Sequence, residues 1–241
     1  MARSRPRFVP LLRRLGVTHP SLDAPGEAIA GGRVKVDGAV VTNPAARVRA
    51  DAAVTVAEVG PLQGSRKLAA ALDHFGVAVA GRVCVDVGAC TGGFTSILVE
   101  AGAATVYAVE AGFGQLLGSL RQHPRVVNLE RTNLGSLTPV LIPEAVDLVV
   151  MDLSYLAVAD AVGQLETIDI APDADLIALV KPMYELRMAE LPTDPADLER
   201  AVTAARAGVD RGPWVTAGVA ASPVRGGRGA VEFLLHARRS A

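Results

Sequence analysis

From residue 83 onward the chain alternates two patterns. Short, nearly unbroken apolar runs read VCVDV (83–87), TVYAVE (105–110), RVVNL (125–129), VDLVVMD (146–152) and DLIALVK (175–181), each followed by a loop or a helical stretch. Apolar runs of this length suit strands buried on both faces, as in a parallel sheet covered by helices. The last two runs, PWVTAGVA (213–220) and VEFLLHA (231–237), are joined by SPVRGGRG. The proline and glycines of that joint mark a turn, so the runs predict an antiparallel hairpin at the end of the sheet. KLAAALDHFGV (67–77) predicts a helix ahead of the first strand.

The first third of the chain is patterned differently. Phe8, Leu11, Leu12 and Leu15 have helical spacing and predict a short helix that stops at Gly16. A second helix is expected from near Ser21 to the Gly31-Gly32 pair. RVKVDGAVV (33–41) places Val34, Val36, Val40 and Val41 around Asp37-Gly38, a strong hairpin turn signal. Val54 to Val56 continues the alternation. EVGPLQGSR (58–66) carries Gly and Pro and reads as a linker. The expected organisation is a small α+β domain over 1–57, a linker over 58–66 and an α/β domain over 67–241.

Charge sharpens this division. Residues 1–66 carry ten Lys/Arg and five Asp/Glu, whereas 67–241 carry fourteen and twenty. A basic segment ahead of an acidic remainder suits a nucleic-acid-binding arm; an arginine-rich tail would look the same. Only Lys35, Lys67 and Lys181 are lysines among 24 basic residues. Lysine loses its proton on burial far more readily than arginine, so a lysine in an arginine-rich chain is a candidate base. The 241 residues are 50% hydrophobic and allow a sizeable core. No apolar run approaches the roughly 18 residues of a membrane span, and the N-terminus lacks a signal-peptide pattern, so a cytoplasmic protein is expected. Cys84 and Cys90 read as small core residues without a disulfide, and no zinc-ligand spacing occurs.

The stretch with the most chemical content is DVGACTGGFT (86–95). Asp86 closes the first strand, and Gly88, Gly92 and Gly93 follow within seven residues. Ligands of open parallel sheets bind outside the carboxyl ends of strands, where glycine lets the chain turn tightly and a ligand come close. The spacing is neither GxGxxG nor a Walker loop, which disfavours NAD and nucleotide triphosphates. It suits S-adenosylmethionine, with the methionine part along the loop and Glu110, ending the second strand, accepting both ribose hydroxyls. An ordinary strand-to-helix turn also has this appearance.

DVGACTGGFT, VYAVEAGFGQL, LRQHPRVVNLERTNL, VMDLSYL, LVKP and EFLLHARR occur in this order. Together they closely resemble the TlyA-type branch of the FtsJ-like ribose 2′-O-methyltransferases. AIAGGRVKVDGAVVTNPAARV resembles the ribosomal S4-like RNA-binding domain that precedes the catalytic domain in that branch. The resemblance implies a Rossmann-like methyltransferase with a mostly parallel seven-stranded sheet ending in an antiparallel hairpin, preceded by a small S4-like domain. It implies S-adenosylmethionine as cofactor, ribosomal RNA as partner and no metal. Its cofactor positions fall on Asp86, Gly88, Ala89, Cys90, Thr91, Gly92, Gly93, Phe94, Glu110, Asn133 and Asp152. Its catalytic lysine–aspartate–lysine–glutamate tetrad falls on Lys67, Asp152, Lys181 and Glu232. Two of the three lysines thus coincide with the tetrad. The chemistry fits, because a ribose hydroxyl must lose its proton as it attacks a methyl group, and a positioned lysine can take it. Lys181 is the expected base, with Asp152 and Glu232 orienting and Lys67 balancing charge.

Several positions depart from the family pattern. Ser96 stands where an acid is common, KPMYE replaces KPQFE, and Ala230 replaces an asparagine. The loop after Glu185 lacks a glycine-rich segment. The second helix carries Asp23 and Glu27 where arginines are usual. These changes surround the acceptor, so transfer to a small molecule, or an RNA-binding role without catalysis, remains open at this point. Phe113, Tyr155 and Tyr184 are candidates to stack on a base, and Arg225 and Arg228 to meet phosphate. Hemolysin names occur in the family, but no amphipathic or apolar segment suited to lysis is found.

Overall fold

The computed structural model describes residues 7–22, 25–30, 32–56 and 63–240. Contacts divide the chain into two units, one of residues 1–60 with 114–123, the other of 61–113 with 124–241. In the first unit, β1 (Phe8–Pro10), α1 (Leu11–Thr18) and α2 (Pro25–Ala30) precede β2 (Val34–Val36), β3 (Ala39–Val40), β4 (Arg47–Arg49) and β5 (Val54–Val56). Leu11, Leu15, Ala28, Ile29, Val34, Val48 and Ala52 form its core. The expected hairpin is present: β2 pairs with β3 and, on its other side, with β5. Asp37 and Gly38 both have positive φ, the conformation that turn demands.

Three expectations change here. Phe8 begins a strand paired with β4, so the helix starts at Leu11. That helix runs through Gly16 to Thr18, anchored by Leu11 and Leu15, which are fully buried. The second helix starts at Pro25, which suits a first helical turn, and Ser21 lies in the turn before it. Asp23 and the side chain of Glu27 lie outside the described residues.

The second unit opens with α3 (Gln63–Phe75), which begins inside the stretch read as linker. The reason is packing: Gly64 lets α3 meet the start of α4 closely, and a Cβ on Gly93 would lie 3.0 Å from Gly64 Cα. Then follow β6 (Val83–Val87), α4 (Gly93–Glu100), β7 (Thr105–Glu110), α5 (Gly118–Arg121, grouped with the first unit) and β8 (Val126–Glu130). β9 (Val146–Met151), α6 (Val158–Val162), β10 (Ile170–Val180), α7 (Pro182–Glu185), α8 (Pro195–Val209), β11 (Trp214–Ala221) and β12 (Phe233–Arg239) complete it.

The seven strands lie in the order β11-β12-β10-β9-β6-β7-β8. The five from β10 to β8 are parallel, and β12 runs antiparallel to both β10 and β11. This is the expected Rossmann-like architecture, with the hairpin at one end. Val85, Val87, Val149, Met151, Leu176 and Ala178 anchor the core. The order reverses at β6, whose neighbours are β7 and β9, so a crevice opens at the carboxyl ends of β6 and β9.

Far from that crevice, Asp175 of β10 is held by Arg82 at 2.6 Å and by His236 at 2.7 Å. Burial pushes its carboxyl up, but the hydrogen bonds from His236 and Arg82 outweigh this and leave it below the usual value. Among the described residues no helix is long and apolar enough to cross a membrane.

Candidate active site

β6 ends at Val87 and the chain turns at once. Gly88 has φ +87°, and a Cβ there would come within 2.6 Å of the Asp152 carbonyl oxygen. Only glycine lets the turn lie against the end of β9. Gly92, at φ +98°, sets the start of α4. Glu110 fixes the loop from the next strand: Cys90 N–H donates to one carboxylate oxygen at 3.0 Å, and Gly112 N–H to the other at 2.7 Å. Each oxygen keeps a lone pair for a further donor.

A cavity of about 210 Å³ lies against this loop, lined by Gly88, Ala89, Cys90, Thr91, Gly93, Phe94 and Asp152, and by Gln63, Gly64 and Lys67 of α3. Seven of the expected cofactor residues thus meet in one place. Cys90, expected in the core, is exposed with φ +48°, because the loop must turn outward there. Asn133 is not among the lining residues; it starts a turn beyond β8, where its carbonyl accepts Ser136 N–H.

Asp86 lies under the loop and is fully buried. Thr95 Oγ1 donates to its Oδ2 at 2.6 Å, while its Oδ1 has no partner. Burial and, less strongly, the nearby Asp152 charge push the carboxyl up to about 7, against the opposing pull of Thr95.

The four tetrad positions come together as two ion pairs. Lys67 Nζ meets Glu232 Oε2 at 2.6 Å, and Lys181 Nζ meets Asp152 Oδ1 at 2.6 Å. Neither carboxylate oxygen accepts an aligned hydrogen bond, so the contacts are charge against charge. Lys181 also donates to Ser154 Oγ at 2.9 Å. Lys67 and Glu232 are nearly sealed, with side-chain exposures of 7% and 5%, whereas Lys181 and Asp152 keep 15% and 23%. Glu232 is no surface residue of an edge strand, because β12 runs inside the sheet between β10 and β11.

A second cavity, about 190 Å³, is lined by Lys181, Tyr184, Ser154, Arg228 and Glu232, with apolar wall from Met183, Leu191 and Pro192. Lys67 and Asp152 line the first cavity, and their partners Glu232 and Lys181 line the second. Each ion pair therefore joins one cavity to the other.

Sequence reasoning missed the residues that support this partition. Gly226 lies so close to Glu232 that a Cβ there would stand 2.1 Å from the carboxylate. Glu185 accepts Val158 N–H at 2.7 Å and ties α7 to α6; burial, the largest influence, pushes its carboxyl up to about 7. Gln63, Gly64 and Ser154 were also missed. The glycines in QGSR and RGGRG are a visible signal for close approach; the Glu185 bond has none. Of the proposed stacking residues, Tyr184 lines the second cavity, Tyr155 is exposed, and exposed Phe113 carries the Arg131 guanidinium 4.2 Å from its ring centre. Among the described residues no three of His, Cys, Asp and Glu are grouped to hold a metal ion.

The family model of the FtsJ-like methyltransferases matches residues 63–239. The chain belongs to this family. The methyltransferase is 42% identical over 221 residues to the 16S/23S rRNA (cytidine-2'-O)-methyltransferase TlyA of Mycobacterium tuberculosis, covering 88% of this chain and 82% of that one. It resembles a solved structure from Streptococcus thermophilus, provisionally named a hemolysin, with TM-score 0.70 and 25% identity over 98% of this chain and 90% of that one. An S-adenosylmethionine dependent methyltransferase from Mesorhizobium loti shares the fold, with TM-score 0.52 and 17% identity over 70% of this chain and 96% of that one. S-adenosylmethionine is the methyl donor. The glycine-loop cavity fits it: Gly88 leaves the backbone bare and Asp152 lines the space that would hold a sulfonium, while Glu110, outside the lining, holds the loop and keeps lone pairs to spare.

Proposed function

We propose that the methyltransferase modifies the 2′-hydroxyl of ribose in ribosomal RNA. The observation that carries this reading is the pair of lysine–carboxylate contacts, each with one member on either cavity. A donor and an acceptor lodged in the two cavities would meet at four charged groups. The 42% identical relative bears a name of the same activity, in which the acceptor is a cytidine.

Gly88, Ala89, Cys90, Thr91, Gly92, Gly93 and Phe94 would hold the methionine part of the donor, and Glu110 its ribose. Asp86 supports the loop from beneath. Asn133 belongs to the adenosine side through its place beside Thr132, whose N–H donates to the Glu110 carbonyl. When bound, the donor supplies a sulfonium methyl already activated for displacement, so the protein's part is placement and proton removal. Lys181, once it has given its own proton to solvent, takes the proton of the acceptor hydroxyl as a neutral amine, and Asp152 holds the ammonium that results. Ser154 accepts from Lys181 and fixes its direction. Lys67 neutralises Glu232, and that carboxylate orients the hydroxyl from the hairpin side.

The first unit serves as an S4-like RNA-binding domain, with the domain boundary in the 58–66 region. Arg7, Arg13 and Arg14 line one cavity there of about 190 Å³, beside Val9, Val17 and Ala50. Such a surface suits phosphates flanking an unpaired base. The protein works in the cytoplasm, where ribosomal RNA is found.

The test is transfer of a tritiated methyl group to isolated ribosomal subunits. A 2′-O-methyl group makes the adjoining linkage resistant to alkali, so label on an alkali-resistant dinucleotide is expected. Donor binding without any label on ribosomal RNA would overturn the acceptor assignment.

A further inference from the structure

The loop 222–232 between β11 and β12 carries a residue in an unusual conformation. Arg228 has φ +56° and ψ 24°, in the left-handed region, with Gly227 and Gly229 on either side. A side chain enters that region at a cost that glycine does not incur. Strained residues of this kind cluster where a side chain serves a site. Arg228 lines the hairpin cavity with Lys181 and Glu232, its side chain is exposed, and it makes no ion pair or hydrogen bond among the described residues. The other left-handed arginines are engaged: Arg131 on Phe113 and Arg187 with Asp160. Arg225, on the same loop, does not line the cavity.

The chemistry of the acceptor says what a cation at this place would meet. In any internal nucleotide the 2′-oxygen and the 3′-phosphodiester are borne on adjacent ring carbons. A ribose whose 2′-hydroxyl reaches Lys181 therefore brings one phosphate within a few ångströms, on the side of the cavity wall. The planar guanidinium matches two phosphate oxygens at once. We infer that Arg228 is the positioning residue that grips the 3′-phosphodiester of the target nucleotide and sets the angle at which its 2′-hydroxyl meets Lys181. This rests on the ribose 2′-O reading and deepens it: the acceptor must be an internal nucleotide with a charged 3′ linkage.

The experiment uses the full chain and a short ribosomal RNA fragment containing the nucleotide that the wild type methylates. Two fragments are compared, one natural and one with a neutral methylphosphonate at the 3′ linkage of the target. Arg228→Ala, Arg228→Lys and Arg228→Gly are assayed beside the wild type, the last because glycine adopts this φ freely and keeps the turn. On the natural fragment, Arg228→Ala and Arg228→Gly should lower kcat/KM by roughly 10- to 100-fold, with Arg228→Lys between them and the wild type. On the methylphosphonate the wild type should fall to the same level, and the alanine variant should lose nothing more. Equal losses from the linkage in both proteins would overturn the inference, as would an unchanged Arg228→Ala. No methyl transfer to ribosomal RNA by the wild type would instead defeat the 2′-O reading itself, and calorimetric binding of S-adenosylmethionine reports separately that every variant is folded.

Discussion

The glycine-loop cavity is shaped by close backbone approaches, whereas the hairpin cavity is lined by several long side chains. In the first, Gly88 and Gly93 bring main chain against main chain, and the Glu110 carboxylate is occupied with two amides of the loop. In the second, Lys181, Met183, Tyr184 and Arg228 project from a short helix and a hairpin loop. A backbone wall admits few sequences, because each close approach forbids a Cβ. A side-chain wall can be exchanged residue by residue while the chain path stays fixed. Among the departures from the family pattern, KPMYE and Ala230 fall on the second wall, whereas Ser96 sits behind the first, donating to the Gly93 carbonyl. One donor served by many acceptors is the result such a division of labour permits.

Mutations sharpen that contrast. The largest effect is expected from Lys181→Ala, which should reduce methyl transfer by roughly 10²- to 10⁴-fold while S-adenosylmethionine still binds in a calorimeter. Retained transfer would remove Lys181 as the base. Gly88→Ala should act on the other wall. It forces a side chain into a left-handed turn and against the Asp152 carbonyl, at a cost of about 1–3 kcal/mol, so donor affinity should fall about 10- to 100-fold. Gly226→Ala should move the Glu232 carboxylate and lower kcat about tenfold, a loss of ~1.4 kcal/mol, with donor affinity unchanged. If Gly226→Ala instead weakened the donor as much as Gly88→Ala does, the two walls would not be separable.

Asp86 tests the floor beneath the glycine loop. Its folded carboxyl sits at about 7, above its unfolded value, so its contribution to stability is full below about pH 4 and is lost as pH rises through 7. Asp86→Asn should flatten that fall in denaturant titrations, a difference on the order of 4 kcal/mol by pH 8. An unchanged pH profile would show that the carboxyl titrates normally. The smallest effect on transfer is expected from Asp175→Asn, far from both walls. Asp175 titrates below its unfolded value, so its contribution is present above about pH 4 and is lost as pH falls through the folded value. The variant should lose about 3–5 kcal/mol at pH 7, since Arg82 loses its buried counter-charge, yet keep the wild-type kcat/KM.

Much of the sheet was legible because strands buried on both faces are mostly aliphatic, and VCVDV, VDLVVMD and DLIALVK show such runs with few polar breaks. The glycine loop was legible for a related reason, since close approach leaves glycine as its mark. The first unit was harder. β1 and β4 have three residues each, too few for alternation to show, and Phe8 shares the helical spacing of Leu11, Leu12 and Leu15. The pairing within the tetrad was also hidden. Spacing places Lys67 and Glu232 165 positions apart and is silent on whether Lys67 meets Glu232 or Asp152. That choice is made in three dimensions, by Gly226 leaving room for the Glu232 carboxylate and by Ser154 drawing Lys181 toward β9.

The loop between β11 and β12 has fixed and free points within ten residues. A side chain at Gly226 would collide with the Glu232 carboxylate, whereas one at Gly227 would meet nothing within 4 Å. Natural drift can therefore rewrite the tip of the loop, by substitution or by lengthening, while the base stays in register with Lys67. New acceptors would be acquired there first, and a laboratory library meant to redirect the enzyme should randomise 227–229 and leave 226 and 232 alone.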